Sequence, residues 1–273
     1  MKYFLDSAIL SEIELAYKTG LCNGITMNPS LLKKAVEELK SKGEQISLES
    51  YIKKILKIAK KTPVSIEVTA TESAQAMIDQ GKKIFKKFNG VAKNVVIKVP
   101  INTSLDLKDK KDFDGIIAIR ELRKSGIPIN CTLIFTPEQA LAAAKAGANF
   151  VSPFAGRIDD FLRKELGKSF DKNDYFPAEG IKVDNEIFND NGIYSGVALV
   201  DQCVKILKKY NLKCQVLAAS IRNPRQLREC ALVGADIATM PFSVFVESLR
   251  HKLTFEGMKK FNEDTPEEFK KIV

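Results

Sequence analysis

Apolar residues along the chain fall into two alternating patterns. Short runs dense in Val, Ile, Leu and Phe alternate with longer stretches in which apolar residues recur every three or four positions among Lys and Glu. A compact run rich in β-branched residues predicts a strand buried on both faces, and the longer spacing predicts a helix packed by one face. The strand-like runs are 2–5, 24–27, 63–69, 95–100, 127–135, 149–154, 214–219 and 236–240. Helical patterns occupy 9–16, 31–40, 48–61, 73–88, 115–124, 139–146, 196–210, 224–233, 242–251 and about 266–273. Local signals mark several boundaries. Asn28-Pro29 and Thr136-Pro137 each offer a cap followed by a first-turn proline, and Gly20 and Gly147 close helices. Polar residues 102–114 predict a surface loop serving as a lid. Residues 155–160 predict a tight loop into a helix, and 161–191 read as an irregular insertion.

Eight strands, each followed by a helix, imply a parallel sheet. The expected fold is α/β, a (β/α)8 TIM barrel formed by residues 1–273 as one domain, with a C-terminal helical extension from about 255–273. A doubly wound open sheet is the alternative, and it lacks a Gly-rich dinucleotide fingerprint after any strand.

Composition narrows the function classes. The net charge is +9, from lysines spread along helix faces rather than in runs interleaved with aromatics. That distribution fits a solvated surface and argues against nucleic acid as a partner. It would also concentrate phosphorylated substrates. The five cysteines, Cys22, Cys131, Cys203, Cys214 and Cys230, form no C-x-x-C pair, so no zinc or redox motif is indicated. Scattered thiols without an export signal fit a reducing cytoplasm, and no apolar run is long enough to span a membrane. His251 is the only histidine, which excludes multi-histidine metal sites and two-histidine catalysis. It reads as a surface residue of a late helix.

Val95-Val96-Ile97-Lys98-Val99-Pro100 is the most informative stretch. A lysine inside a strand buried on both faces needs a partner or a purpose. Desolvation disfavours the ammonium, and a neutral amine is what attacks a carbonyl to form a Schiff base. The competing reading is a strand-end lysine that snorkels to solvent. Barrel enzymes place their chemistry at the carboxyl ends of the strands. Reading only those ends yields Asp6, Asn28, Glu67, Lys98, Asn130, Thr132, Ser152, Arg157, Ser220 and Arg222. Asn28 has a complete explanation as a helix cap, and a second role facing the mouth is compatible with it. Arginines after the sixth and seventh strands suit a phosphate, which they can hold in a bidentate fork. The residues therefore predict a Schiff-base enzyme acting on a phosphorylated carbonyl compound.

Seven segments carry a family resemblance. They are Phe4-Leu5-Asp6, Thr26-Met27-Asn28-Pro29-Ser30, Glu67-Val68, Ile97-Lys98-Val99-Pro100, Asn130-Cys131-Thr132-Leu133, Val151-Ser152-Pro153-Phe154-Ala155-Gly156-Arg157-Ile158 and Leu217-Ala218-Ala219-Ser220-Ile221-Arg222-Asn223. In that order they resemble the transaldolase family, which includes the fructose-6-phosphate aldolases. The resemblance implies that Lys98 forms the Schiff base and that Asp6 is the acid/base for carbon–carbon cleavage. It implies that Glu67 and Thr132 hold a water that shuttles protons. Asn28, Asn130 and Ser152 would hold the dihydroxyacetone hydroxyls, and Arg157, Ser220 and Arg222 the phosphate. No metal or organic cofactor is implied. Glu67 with Phe154 is the pairing of the transaldolases, whereas the family's hydrolytic aldolases resemble one another in carrying Gln and Tyr there. Met27 departs from the family's usual Thr. Small relatives form rings through the C-terminal helix and large ones are dimers or monomers, so the resemblance allows a homo-oligomer and leaves the oligomeric state open. A fructose-6-phosphate aldolase releasing free dihydroxyacetone and a non-catalytic sugar-phosphate-binding barrel are the alternative functions.

Overall fold

The computed structural model describes residues 1–41, 43, 47–106 and 108–270. In chain order the elements are β1 (Lys2–Asp6), α1 (Leu10–Lys18), β2 (Cys22–Thr26), α2 (Pro29–Ser41), α3 (Leu48–Ala59), β3 (Val64–Glu67), α4 (Ala74–Ala92) and β4 (Val95–Pro100). There follow α5 (Asp114–Lys124), β5 (Ile129–Ile134), α6 (Pro137–Lys145), β6 (Phe150–Pro153), α7 (Ala155–Glu165), β7 (Lys182–Val183), β8 (Glu186–Ile187) and α8 (Gly196–Lys209). The chain ends with β9 (Gln215–Ala218), α9 (Pro224–Leu232), β10 (Ile237–Met240), α10 (Phe242–Glu247), α11 (Lys252–Asp264) and α12 (Glu267–Lys270).

Eight strands close a parallel barrel in the order β1-β10-β9-β6-β5-β4-β3-β2, and β2 pairs back onto β1. The fold is a (β/α)8 TIM barrel. Closure is sealed by β1 against β10, in register from Lys2↔Ile237 to Leu5↔Met240. Two apolar layers hold it. The larger lies between strands and helices and includes Leu5, Ile25, Ile97, Val99, Cys131 and Val151. The smaller fills the barrel interior with Phe4, Val96, Phe150, Leu217, Ala219 and Ile237. Gly24 makes room for this plug, because a Cβ there would lie 2.6 Å from the Phe4 ring. All five cysteines are buried and free. No helix among the described residues is long and apolar enough to cross a membrane.

Helix starts follow local chemistry. Thr136 and Gln139 form a reciprocal capping box on α6, with Pro137 at its first turn. After β4, Asp109 accepts hydrogen bonds from the amides of Leu105 and Lys111 and from the Ser104 hydroxyl.

Three expectations change. Residues 155–160 are the opening of α7 and not a loop, and the helix continues through Phe161 to Glu165. The turn out of β6 is completed by Phe154 alone, at φ −91° and ψ 76°. Gly156 then lets α7 approach the Ser220 carbonyl more closely than any side chain would allow. Within the expected insertion, β7 and β8 form a small antiparallel hairpin. Its turn residues Asp184 and Asn185 both have positive φ, as a two-residue type I′ turn requires. The late helix expected over 242–251 divides. α10 ends at Glu247, and His251 sits outside any helix as the N-cap of α11, accepting from the Leu253 amide at 3.2 Å. α11 begins earlier than residue 255 and buries none of its residues. The last expected helix is α12, and residues 271–273 lie outside the described set.

Candidate active site

Side chains alternate across a strand with a period of two. The apolar plug therefore fixes which residues above it also face inward. Phe4 points to Asp6, Gly24 to Thr26, Val96 to Lys98, Phe150 to Ser152 and Ile237 to Thr239, each two positions closer to the carboxyl ends. The barrel interior is thus apolar below and polar above.

Lys98 is 6% exposed and sits in register with Glu67 on one side and Asn130 on the other. Its Nζ donates to Glu67 Oε2 at 3.0 Å, so the amine does not snorkel away from the site. Thr132, two residues beyond Asn130, is fully buried, and its hydroxyl oxygen has no hydrogen-bond partner among the described residues. Asn130 Nδ2 donates to Ser65 Oγ at 3.2 Å, and Ser152 Oγ donates to Asn130 Oδ1 at 2.7 Å. This chain of bonds runs across three strands beside the lysine.

Asp6 enters from β1. Thr26 Oγ1 donates to its Oδ1 at 2.8 Å and lies 2.6 Å from Thr239 Oγ1. Removal of water from the carboxyl raises its pKa above the usual carboxylate value. The charges of Lys98, Arg222 and Lys172 and the Thr26 hydrogen bond pull in the opposite direction without cancelling the rise. A carboxyl with raised proton affinity beside a buried amine is equipped to exchange a proton. Asn28 caps α2, its Oδ1 accepting from the Leu31 amide at 2.9 Å, which leaves its amide nitrogen for another partner.

The arginine side is built where β6 and β9 end. Ser220 adopts a left-handed backbone, φ 61°. Arg222 Nη2 donates to Asp160 Oδ2 at 2.8 Å, and the Arg222 amide donates to Gln226 Oε1 at 2.8 Å. Gln226 in turn donates to Asp159 Oδ2 at 2.6 Å, and the Gly196 amide donates to Asp159 Oδ1 at 2.7 Å. Burial, together with the neighbouring charge of Asp160, pushes the Asp159 carboxyl up to about 7. Arg222 Nε is buried and has no hydrogen-bond partner among the described residues. Arg157 is exposed, its guanidinium 5.7 Å from the Phe154 ring centre, and Phe154 also packs edge-on against Phe135. No hydrogen bond joins Arg157 to Arg222 or Ser220. A Cβ at Gly156, the neighbour of Arg157, would lie 2.1 Å from the Ser220 carbonyl oxygen and 2.6 Å from Arg222 Nε.

Thr26, Ser65 and Thr239 stand at the mouth outside the predicted set, although counting two residues on from each plug residue picks out the first and last. Asp159, Asp160 and Gln226 also lie outside the predicted set, because their link to Arg222 crosses from α7 to α9. Among the described residues no group of three or more His, Cys, Asp or Glu could hold a metal ion.

Comparison with known proteins supplies an independent line. The family described as Transaldolase/Fructose-6-phosphate aldolase matches residues 3–272. A "Probable transaldolase" of Chlorobium phaeobacteroides is 39% identical over 264 residues, covering 97% of this chain and 96% of that protein. One of Bacteroides thetaiotaomicron is 40% identical, with 97% of each chain covered. One of Thermoplasma volcanium is 36% identical, covering 97% of this chain and 95% of that protein. A match that runs the length of the barrel, together with such identity over nearly whole chains, means that this protein belongs to the transaldolase/fructose-6-phosphate aldolase family.

Proposed function

We propose that the protein is a transaldolase that moves a dihydroxyacetone unit between phosphorylated sugars through a Schiff base on Lys98. The observation that carries this reading is the Lys98–Glu67 contact at 3.0 Å, deep in the barrel and facing the same interior as Asp6. Lys98 Nζ, having passed a proton to Glu67, adds to the ketone of fructose 6-phosphate or sedoheptulose 7-phosphate. Loss of water, assisted by Glu67 and a water held at the unpartnered Thr132 hydroxyl, leaves a protonated imine. Asp6 takes the proton from the hydroxyl beside the breaking bond. The bonding electrons pass to the imine nitrogen, so an aldose phosphate departs and an enamine stays on Lys98. An acceptor aldose phosphate is attacked by that enamine, Asp6 returns its proton, and water releases the new ketose. The protonated imine is the electron sink, so the scheme calls for no metal or organic cofactor.

Asn28, Asn130 and Ser152 hold the hydroxyls of the three-carbon unit. Arg157, Ser220 and Arg222 hold the phosphate at the start of α7, where backbone N–H groups also favour an anion. Phe154 favours transfer over release, because its ring brings no hydroxyl to protonate the enamine. The reaction belongs to the non-oxidative pentose phosphate pathway, in a reducing cytoplasm consistent with five unpaired thiols. Homo-oligomerisation fits α11, which exposes Leu253, Phe255, Met258 and Phe261.

Borohydride reduction in the presence of fructose 6-phosphate, followed by peptide mass spectrometry, tests the scheme. A three-carbon adduct on Lys98 is expected, and an unmodified Lys98 would reject the mechanism. Free dihydroxyacetone formed as fast as transfer would instead identify an aldolase.

A further inference from the structure

Residues 166–195 have no part in the scheme above, yet they are fastened to its arginine side. Arg163 of α7, 5% exposed, donates from Nη2 to the Asp174 carbonyl at 2.7 Å. Its guanidinium lies 5.0 Å from the Phe170 ring centre and 5.2 Å from that of Phe176. Tyr175 donates to Glu229 Oε1 on α9 at 2.8 Å, and the Arg225 guanidinium sits 3.6 Å above its ring. Asn223, next to Arg222, donates from Nδ2 to the Asn173 carbonyl at 3.2 Å. Between these anchors 171–174 form a tight turn. The Asp174 amide bonds the Asp171 carbonyl at 2.9 Å, and the Asp171 amide bonds Asp174 Oδ2 at 2.8 Å. Lys172 and Asn173 occupy its tip.

The arginine side holds less free positive charge than its residue types suggest. Arg222 arrives already paired with Asp160 at 2.8 Å, and Asp160 also lies 3.7 Å from Arg163. A sugar phosphate carries nearly two negative charges near neutral pH. Arg157 is exposed at the edge, and no carboxylate pairs with it among the described residues. Lys172 is exposed, and no carboxylate pairs with it among the described residues. Its charge is nevertheless felt by the Asp6 carboxyl, alongside those of Lys98 and Arg222. The Asn173 carbonyl, one residue on, is bonded by Asn223 beside Arg222, which sets the tip of the turn against the arginine side.

We propose that Lys172 is a further substrate-binding residue, delivered by the turn pinned to Asn223 so that its ammonium meets the substrate phosphate beside Arg222. The proposal rests on the reading of the barrel mouth as a sugar-phosphate site. Arg222 is held in one direction by Asp160, whereas a lysine on its four-carbon stem can follow the phosphate as donor leaves and acceptor enters. Residues 166–195 thereby act as a strut that carries charge to the mouth.

Inorganic phosphate as a competitive inhibitor and the KM for fructose 6-phosphate test this in Lys172→Ala, with Lys172→Arg as rescue and Lys182→Ala as the control within the same segment. In Lys172→Ala both phosphate affinity and KM should worsen by roughly 3–10-fold, the worth of a half-exposed charge-assisted contact. Saturated kcat and the KM for unphosphorylated fructose should not change. The deficit should shrink as ionic strength rises, Lys172→Arg should recover most of it, and Lys182→Ala should match wild type. Unchanged phosphate affinity in a protein that still forms the Lys98 adduct would overturn the role of Lys172 and leave the proposed function standing. Equal losses with fructose and fructose 6-phosphate would overturn it too. Absence of the adduct in wild type would reject the Schiff-base reading, and the phosphate titration would still report on Lys172 alone.

Discussion

Thr26→Val probes the proton chemistry at Asp6 with a single atom exchange. The side chain keeps its branched shape and loses the hydroxyl that donates to Asp6 Oδ1 at 2.8 Å. A donor to a carboxylate stabilises its ionised form, so the loss raises the Asp6 pKa beyond the rise that burial already causes. A hydrogen bond to a charged group is worth about 1.5–3 kcal/mol, which at a fixed acidic pH is roughly 10–100-fold in kcat/KM. If ionised Asp6 takes the substrate's proton, the acid limb of kcat/KM moves to higher pH, while activity on the alkaline side changes little. The assay is a pH profile of dihydroxyacetone transfer from fructose 6-phosphate. Thr239→Val is the companion variant. It removes the 2.6 Å contact behind Thr26 but leaves the Thr26–Asp6 bond, so its shift should be well under half as large. An unmoved acid limb in a folded Thr26→Val protein would refute the assignment of Asp6.

Other perturbations read other parts of the molecule. Lys98→Ala should abolish transfer and cost about 3 kcal/mol in denaturant melts, the low end for breaking a buried ion pair, because the Glu67 side chain keeps 16% exposure; adding Glu67→Gln should recover most of that stability. Gly156→Ala places a Cβ 2.1 Å from the Ser220 carbonyl and 2.6 Å from Arg222 Nε. It should lose about 1–3 kcal/mol by overpacking, with a raised KM for fructose 6-phosphate but not for fructose. Asp159, pushed up to about 7, holds a proton in the folded state that the unfolded chain, near ~3.9, has released. Stability therefore falls as pH rises between those values, by up to about 1.4 kcal/mol per pH unit relative to Asp159→Asn. A stability difference between the two that stays flat with pH would contradict this.

The strands were legible because a barrel strand is buried on both faces and announces itself as a dense apolar run. Lys98 was legible for the same reason, since a charge stands out in Val95-Val96-Ile97. Thr26, Ser65 and Thr239 were not, because Thr and Ser in a strand look like ordinary residues until the register of a closed barrel sets them against Asp6 and Asn130. The opening of α7 looked like a loop because Ala155-Gly156-Arg157 carries neither a capping side chain nor a helical repeat, and its start is fixed by the packing of Gly156 on Ser220. The attachment of residues 166–195 was hidden for a similar reason. Arg163, Tyr175 and Asn223 look like surface polar residues, and only the spatial neighbourhood of α7 and α9 shows that they are fasteners.

The five buried thiols give the molecule an internal reporter of opening. Burial raises every one of their pKa values, Cys203 and Cys214 to about 12, so the reactive thiolate is scarce in the folded state. They lie on different sectors of the barrel, from Cys22 on β2 and Cys131 on β5 to Cys203 on α8 and Cys230 on α9. Alkylation of each by iodoacetamide therefore clocks how often its own sector breathes.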